Sequence, residues 1–179
     1  CVLQPPEIRH RVLASSPGLE VIEIGCPAEH DTFAEHDIAL PTASVSPDRV
    51  FGGQRFVRHV AADAARDAWL IDGLQVRDTG IAAATGGLAG AEVIEAGAVW
   101  RDGQDRSAVG ALTHHGEFVL SVGIAGSAEL VLDDRSPVRL GARDAVAFPP
   151  GTRWAWCDWS ADFEMLQVTL PGTAVAREP

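Results

Sequence analysis

Residues 145–171, A-V-A-F-P-P-G-T-R-W-A-W-C-D-W-S-A-D-F-E-M-L-Q-V-T-L-P, decide how the chain is divided, because they occur twice. Laid without a gap on the opening residues, they match C-V-L-Q-P-P-E-I-R-H (1–10) and L-E-V-I-E-I-G-C-P (19–27). Val2 falls on Val146, Pro5 and Pro6 on Pro149 and Pro150, Arg9 on Arg153, Glu20 on Glu164 and Pro27 on Pro171. The offset is constant, 146 − 2 = 144 residues. That period is far longer than a solenoid repeat and is the size of one domain. The division that follows is the truncated tail of an earlier copy at 1–27, a linker at 28–50, a barrel-sized unit at 51–171 and a tail at 172–179. A chain that opens at Cys1 also carries the expectation that residues precede it.

Working outward from the repeat, short apolar runs alternate with Gly, Asp and Pro turns. Strands are expected at 1–3, 19–24, 54–61, 91–96, 117–124, 127–132, 138–140, 145–148 and 163–169. A further pair of short strands is expected around Gly73, a loop at 82–90, and one more strand from Ser107 to Leu112. Turns at intervals of about 8 to 12 residues are the mark of an all-β sandwich or barrel. No segment keeps an apolar period of 3.6, so helices should be few. The segment 27–41 has room for one helical turn capped by Asp31.

Composition narrows the partners. The chain is 46% apolar over 179 residues, enough to bury a core. Its formal charge is −11, Lys is absent and the Arg residues are scattered, so nucleic acid and anionic membrane are not expected partners. No apolar run approaches the roughly 20 residues of a membrane-spanning helix. Three cysteines without metal-ligand spacing (Cys1, Cys26, Cys157) suit a reducing cytoplasm, where they are expected as small buried apolar residues. A small-molecule ligand and a homodimeric state are the expected associations.

The run Gly141-Ala142-Arg143-Asp144-Ala145-Val146-Ala147-Phe148-Pro149-Pro150-Gly151-Thr152-Arg153-Trp154 resembles the second conserved motif of the cupins. The strand pair 117–132, broken at Gly126 and preceded by His114-His115, resembles the first. With the duplication, the whole resembles a bicupin. The resemblance implies an all-β, double-stranded β-helix, that is, a jelly-roll (cupin) barrel able to hold a ligand between its sheets. The family's metal site takes two His and a Glu from motif one and a His from motif two, a donor set suited to Fe, Mn, Ni, Zn or Cu.

Carried over by position, that set is mostly absent from the complete copy. Trp154 stands at the motif-two His, and an indole cannot bind a metal. Adjacent His114 and His115 point to opposite faces of a strand, so one of them faces inward. Strand parity groups Thr113, His115 and Glu117 on one face and Leu112, His114, Phe118 and Leu120 on the other. His115 with Glu117 is therefore the expected polar pair of the pocket, two ligands at most for a metal, with Trp154 and Trp156 as an aromatic wall. In the first copy His10 stands at the position of Trp154, and so looks like a metal ligand whose companions lie upstream. His30 and His36 are expected in a solvated linker, and His59 as structural.

Three functions fit this reading. One is a metal-dependent enzyme, dioxygenase- or isomerase-like on a small polar substrate, with the metal in the first barrel of the intact protein and no cofactor in this one. The others are a non-catalytic small-molecule binding or sensing barrel and a structural barrel for dimerisation.

Overall fold

Proline has no N–H to give to a ladder, so the strand that reaches Pro149 must stop there. Gly151, at φ 78°, then turns the chain into the next strand. In the computed structural model, which describes residues 1–100, 110–133 and 135–177, this turn carries the chain from one sheet of a barrel to the other.

The strands are β1 (Val2–Leu3), β2 (Arg9–His10), β3 (Phe33–Ala34), β4 (Val50–Phe51), β5 (Gln54–Arg55), β6 (Val57–Arg58), β7 (Asp67–Ala68), β8 (Leu74–Asp78) and β9 (Gly90–Ala96). They continue as β10 (Leu112–His114), β11 (Phe118–Ala125), β12 (Ser127–Leu132), β13 (Val138–Gly141), β14 (Ala145–Phe148), β15 (Arg153–Cys157), β16 (Glu164–Leu170) and β17 (Val175–Arg177). Among the described residues the only helical elements are a 3-10 turn at Ala61–Asp63 and α1 at Ile81–Ala84.

Two sheets face each other. One has the order β14-β11-β16-β9-β8-β7, the other β13-β12-β15-β10-β17. The chain changes sheet at Gly126, between β11 and β12, and again between β13 and β14, β14 and β15, and β15 and β16. That alternation is what makes a double-stranded β-helix out of antiparallel strands. Gly126 is required there. At φ 59° it sits where an added Cβ would come within 2.7 Å of the Phe163 nitrogen and of an Asp162 carboxylate oxygen. Between the sheets lie Ile94, Leu112, Val119, Ala128, Leu130, Phe148, Trp154, Trp156 and Met165, all buried.

The segment expected as a tail at 172–179 instead contributes β17, which pairs with β10 from Leu112↔Arg177 to His114↔Val175. The loop expected at 82–90 opens with α1, and the strand expected at 54–61 is split into β5 and β6. Most of the strand expected from Ser107 lies outside the described residues. Two cysteines depart from expectation: Cys1 and Cys26 are exposed, and Cys157 alone is buried.

The first copy repeats the second only in part. Around Pro5-Pro6-Glu7, Glu7 takes φ 65°, matching Gly151 one period later. The Ile8 N–H donates to the Pro5 carbonyl at 3.4 Å, as the Thr152 N–H does to Pro149 at 3.1 Å. The turn joins β1 to β2 as its counterpart joins β14 to β15. The strand expected at 19–24 does not form, although its counterpart β16 lies in the six-stranded sheet between β11 and β9. A strand exists through its ladder partners, and here none are supplied. Leu19, Val21, Ile22 and Ile24 are left exposed. An ion pair from Glu20 to Arg143 ties this segment to the barrel.

Candidate functional site

The inward face of the six-stranded sheet carries a polar row where an apolar one would be expected. The register aligns Asp78 with Glu92, Glu92 with Gln167 and Gln167 with Ser121. The inward rows beside it hold Val76, Ile94 and Met165 on one side and Thr169, Val119 and Phe148 on the other. The next row outward is Arg77, Val93, Leu166 and Val122, so across β9, β16 and β11 polarity is inverted at this level, polar in and apolar out.

Burial deepens along the row. Asp78 is exposed and Glu92 half-buried, while Gln167 and Ser121 are 1% and 2% exposed. Among the described residues neither Gln167 Oε1 nor Ser121 Oγ has a hydrogen-bond partner. Burying such atoms unpaired costs about 1–3 kcal/mol each, so their retention in a core position calls for a function. Ser121 also lines a cavity of about 10 Å³, with Trp156, Phe163 and Met165 around it and Asp144 among its lining residues. That is room for a single water-sized group.

Glu92 is the titratable group of the row. Burial pushes its carboxyl above the ordinary range, and the negative charge of Asp78 pushes it the same way. The neighbouring Trp69 indole opposes both. Arg77, next to Asp78 in sequence, lies on the opposite face of β8, where the register pairs it with Val93. There its Nε meets Glu95 at 3.0 Å and its Nη2 pairs with Glu164.

The other sheet contributes His114, Trp154 and Trp156, all fully buried. His114 Nε2 donates to the carbonyl oxygens of Phe148 at 2.8 Å and Pro149 at 2.9 Å. In the neutral ring this places the lone pair on Nδ1, which has no partner among the described residues. Trp154 stacks on Phe148, and the His114 ring meets Trp154 edge-on at 5.9 Å. The indole N–H groups of Trp154 and Trp156 are buried donors without acceptors among the described residues.

These positions revise the sequence expectation. The inward histidine is His114; His115 and Glu117 are exposed and do not line the interior. Leu112 and His114 share the inward parity of β10, and Leu112 fixes it by being fully buried. Parity does not run on to Glu117, because residues 115–117 cross from one sheet to the other. Trp154 and Trp156 do face inward, but as packed core instead of an open wall. His10 is partly buried, with its Nδ1 3.3 Å from the Ile8 carbonyl oxygen of its own turn. His30 and His36 are exposed, as expected of a linker. His59 follows β6, where burial and the neighbouring N-terminal amine hold its ring below the usual range.

The donor set does not fit the family's metal. Among the described residues no three His, Cys, Asp or Glu side chains converge. His114 Nε2 is committed to carbonyl oxygens, His115 and Glu117 lie outside, and Trp154 can only donate.

No protein-family model matches the sequence, and no curated protein matches it. Among solved structures, the polyketide cyclase RemF from Streptomyces resistomycificus aligns with a TM-score of 0.53 at 15% identity, over 68% of this chain and 81% of that one. An RmlC-like cupin from Shewanella frigidimarina aligns with a TM-score of 0.48 at 17% identity, over 68% and 96% of the two chains. KdgF from Halomonas sp. gives 0.47 at 18%, over 63% and 93%. The fold is a double-stranded β-helix, a jelly-roll barrel. At these identities the likeness is one of fold, and reactions are not inherited with a fold. What this barrel can bind therefore depends on its own interior.

Glu92, Gln167 and Ser121 carry no expectation from the sequence, and His114 is placed there on the face opposite His115. Gln167 and Ser121 have a sequence signal, a polar residue between apolar ones in M-L-Q-V-T and V-L-S-V.

Proposed function

We propose that this cupin barrel binds a small, uncharged polar ligand without a metal of its own. The observation that carries the reading is the row from Asp78 to Ser121, an exposed-to-buried polar path with unpaired Gln167 Oε1 and Ser121 Oγ at its inner end. A ligand whose polar group, no larger than a water, enters the cavity finds a donor and acceptor in Ser121 and an acceptor in Gln167 beside it. The negative charges of Asp78 and Asp144, with Arg77 turned away on the outer face, disfavour an anion. Thermal-shift screening of neutral polyols and carbonyl compounds tests this. The expected result is a stabilising hit that is lost in Ser121→Ala and in Gln167→Leu. A hit retained by both variants would remove the site, and hits confined to anions would remove the ligand class.

A second reading concerns the intact protein. The shared turn geometry of Glu7 and Gly151, with His10 at the position of Trp154, supports a bicupin whose first barrel holds the divalent metal and is the enzymatic one. On that reading the exposed Leu19–Ile24 run is a strand of the first barrel, and a cytoplasmic homodimer is the working form. Metal analysis of the longer protein with and without His10→Ala tests it; an unchanged metal content would rule His10 out as a ligand.

A further inference from the structure

We propose that one water molecule is a resident part of this barrel, bound between the Ser121 hydroxyl of one sheet and the Trp156 indole N–H of the other. The inference goes beyond the binding reading and does not depend on it. Ser121 stands on β11 of the six-stranded sheet and Trp156 on β15 of the five-stranded one, and both line the cavity of about 10 Å³. Each residue is 2% exposed. Among the described residues neither Ser121 Oγ nor Trp156 Nε1 has a hydrogen-bond partner. Two buried polar groups on facing walls of one cavity therefore share one need.

Size and chemistry together select water. A cavity of this volume takes one water-sized group. A wholly apolar cavity stays dry, and Leu140, Phe163 and Met165 make part of this one apolar; the hydroxyl and the indole N–H tip it the other way. A third partner is at hand in Asp144, which lines the cavity from the exposed turn between β13 and β14. That turn satisfies its own backbone. The Gly141 N–H donates to Asp144 Oδ2 at 2.8 Å, the Gly123 N–H to the Asp144 carbonyl at 2.9 Å and the Arg143 N–H to the Gly123 carbonyl at 2.9 Å. The unmet needs are thus those of side chains. The indole N–H only donates and a carboxylate only accepts, so the bound group must offer both a lone pair and a proton. An ammonium ion has no lone pair for the indole, and a halide or hydroxide meets the Asp144 carboxylate with like charge. Water accepts from Trp156, exchanges a hydrogen bond with Ser121 and donates toward Asp144, within the two to four partners usual for a buried water. Bridged in this way, the two sheets are joined by hydrogen bonds at a level where side-chain packing alone leaves both groups unpaired.

The test reads water at the indole N–H signals of ¹⁵N-labelled protein by water-selective NOE and ROE spectra. Trp156 should show water cross-peaks of opposite sign in the two spectra, the mark of a long-lived water. Trp154, whose buried indole N–H lies outside the cavity, is the internal control and should show none. Ser121→Ala should weaken the Trp156 cross-peak by roughly threefold or more, since the water loses one of its partners. Crystals of the free protein should show density for a single water within hydrogen-bond reach of both Ser121 Oγ and Trp156 Nε1. That measurement needs no variant, and it separates a bound water from a signal relayed by exchange of the Ser121 O–H. Absence of a water cross-peak at Trp156, an equal one at Trp154, or no density between the two atoms overturns the proposal. Dihydroxyacetone, a neutral probe of the binding reading, should erase the Trp156 cross-peak by putting a hydroxyl in the water's place. A cross-peak that persists at saturating compound keeps the water and counts against the binding reading alone.

Discussion

Trp154 lies flat against Phe148, with ring centroids 4.1 Å apart and planes 13° from parallel. The stack occupies the place where the cupin pattern would put a metal-ligating imidazole, and it joins the barrel's main core. Replacing Trp154 with Ala should destabilise the fold by about 3–5 kcal/mol, the range for removing a large buried aromatic. Urea denaturation with an unchanged slope would measure it. Trp154→His would restore the imidazole without its companions, so elemental analysis should find no stoichiometric zinc or nickel.

The raised carboxyl of Glu92 makes stability depend on pH with a definite sign. A carboxyl whose folded value lies above the reference of 4.5 contributes its stability fully below that value. The contribution is lost as pH rises through the folded value, because the unfolded chain releases the proton first. Glu92→Gln removes this dependence. The stability of wild type relative to Glu92→Gln should therefore decline from pH 4.5 upward and then level off, as followed by denaturation at several pH values.

Gly126 turns the chain between sheets at φ 59°, where a Cβ would also press on Ser160. Backbone strain and overpacking combine, so Gly126→Ala should cost roughly 2 kcal/mol or more. Gly53, also at positive φ but with nothing within 4 Å of an added Cβ, is the control and should cost less when changed to Ala.

Arg77 is a buried cation on the outer face, held by Glu95 and Glu164. Removing it leaves two partly buried carboxylates facing each other across β9 and β16, where Glu164 pairs with Glu95. Arg77→Ala should cost up to about 3 kcal/mol, moderated because both carboxylates keep some solvent. The double variant with Glu164→Gln should recover part of that loss in a thermal melt.

The β architecture was legible because turn residues punctuate it. Gly73, Gly126, Gly141 and Pro149 each stand at a strand end, where their conformational limits act locally. Leu19–Ile24 shows the opposite case, since apolar alternation specifies a strand only when a sheet supplies its partners. The site was harder to read. His115 was expected inside because parity was carried through residues 115–117, where the chain leaves one sheet for the other. The tail escaped notice because β17 has three residues, too few to show a period, and is recruited by β10. Gln167 and Ser121 match no part of the family's ligand pattern, and only their burial in the folded sheet distinguishes them.

The most direct test is a crystal structure of protein purified without chelators and soaked with dihydroxyacetone, with anomalous data collected at the zinc and nickel edges. The account predicts the compound along the Glu92–Gln167–Ser121 row, within hydrogen-bond reach of Gln167 Oε1 or Ser121 Oγ, and no anomalous peak beside Trp154. A metal ion inside the barrel, or Gln167 and Ser121 bonded to each other with the compound excluded, would contradict it.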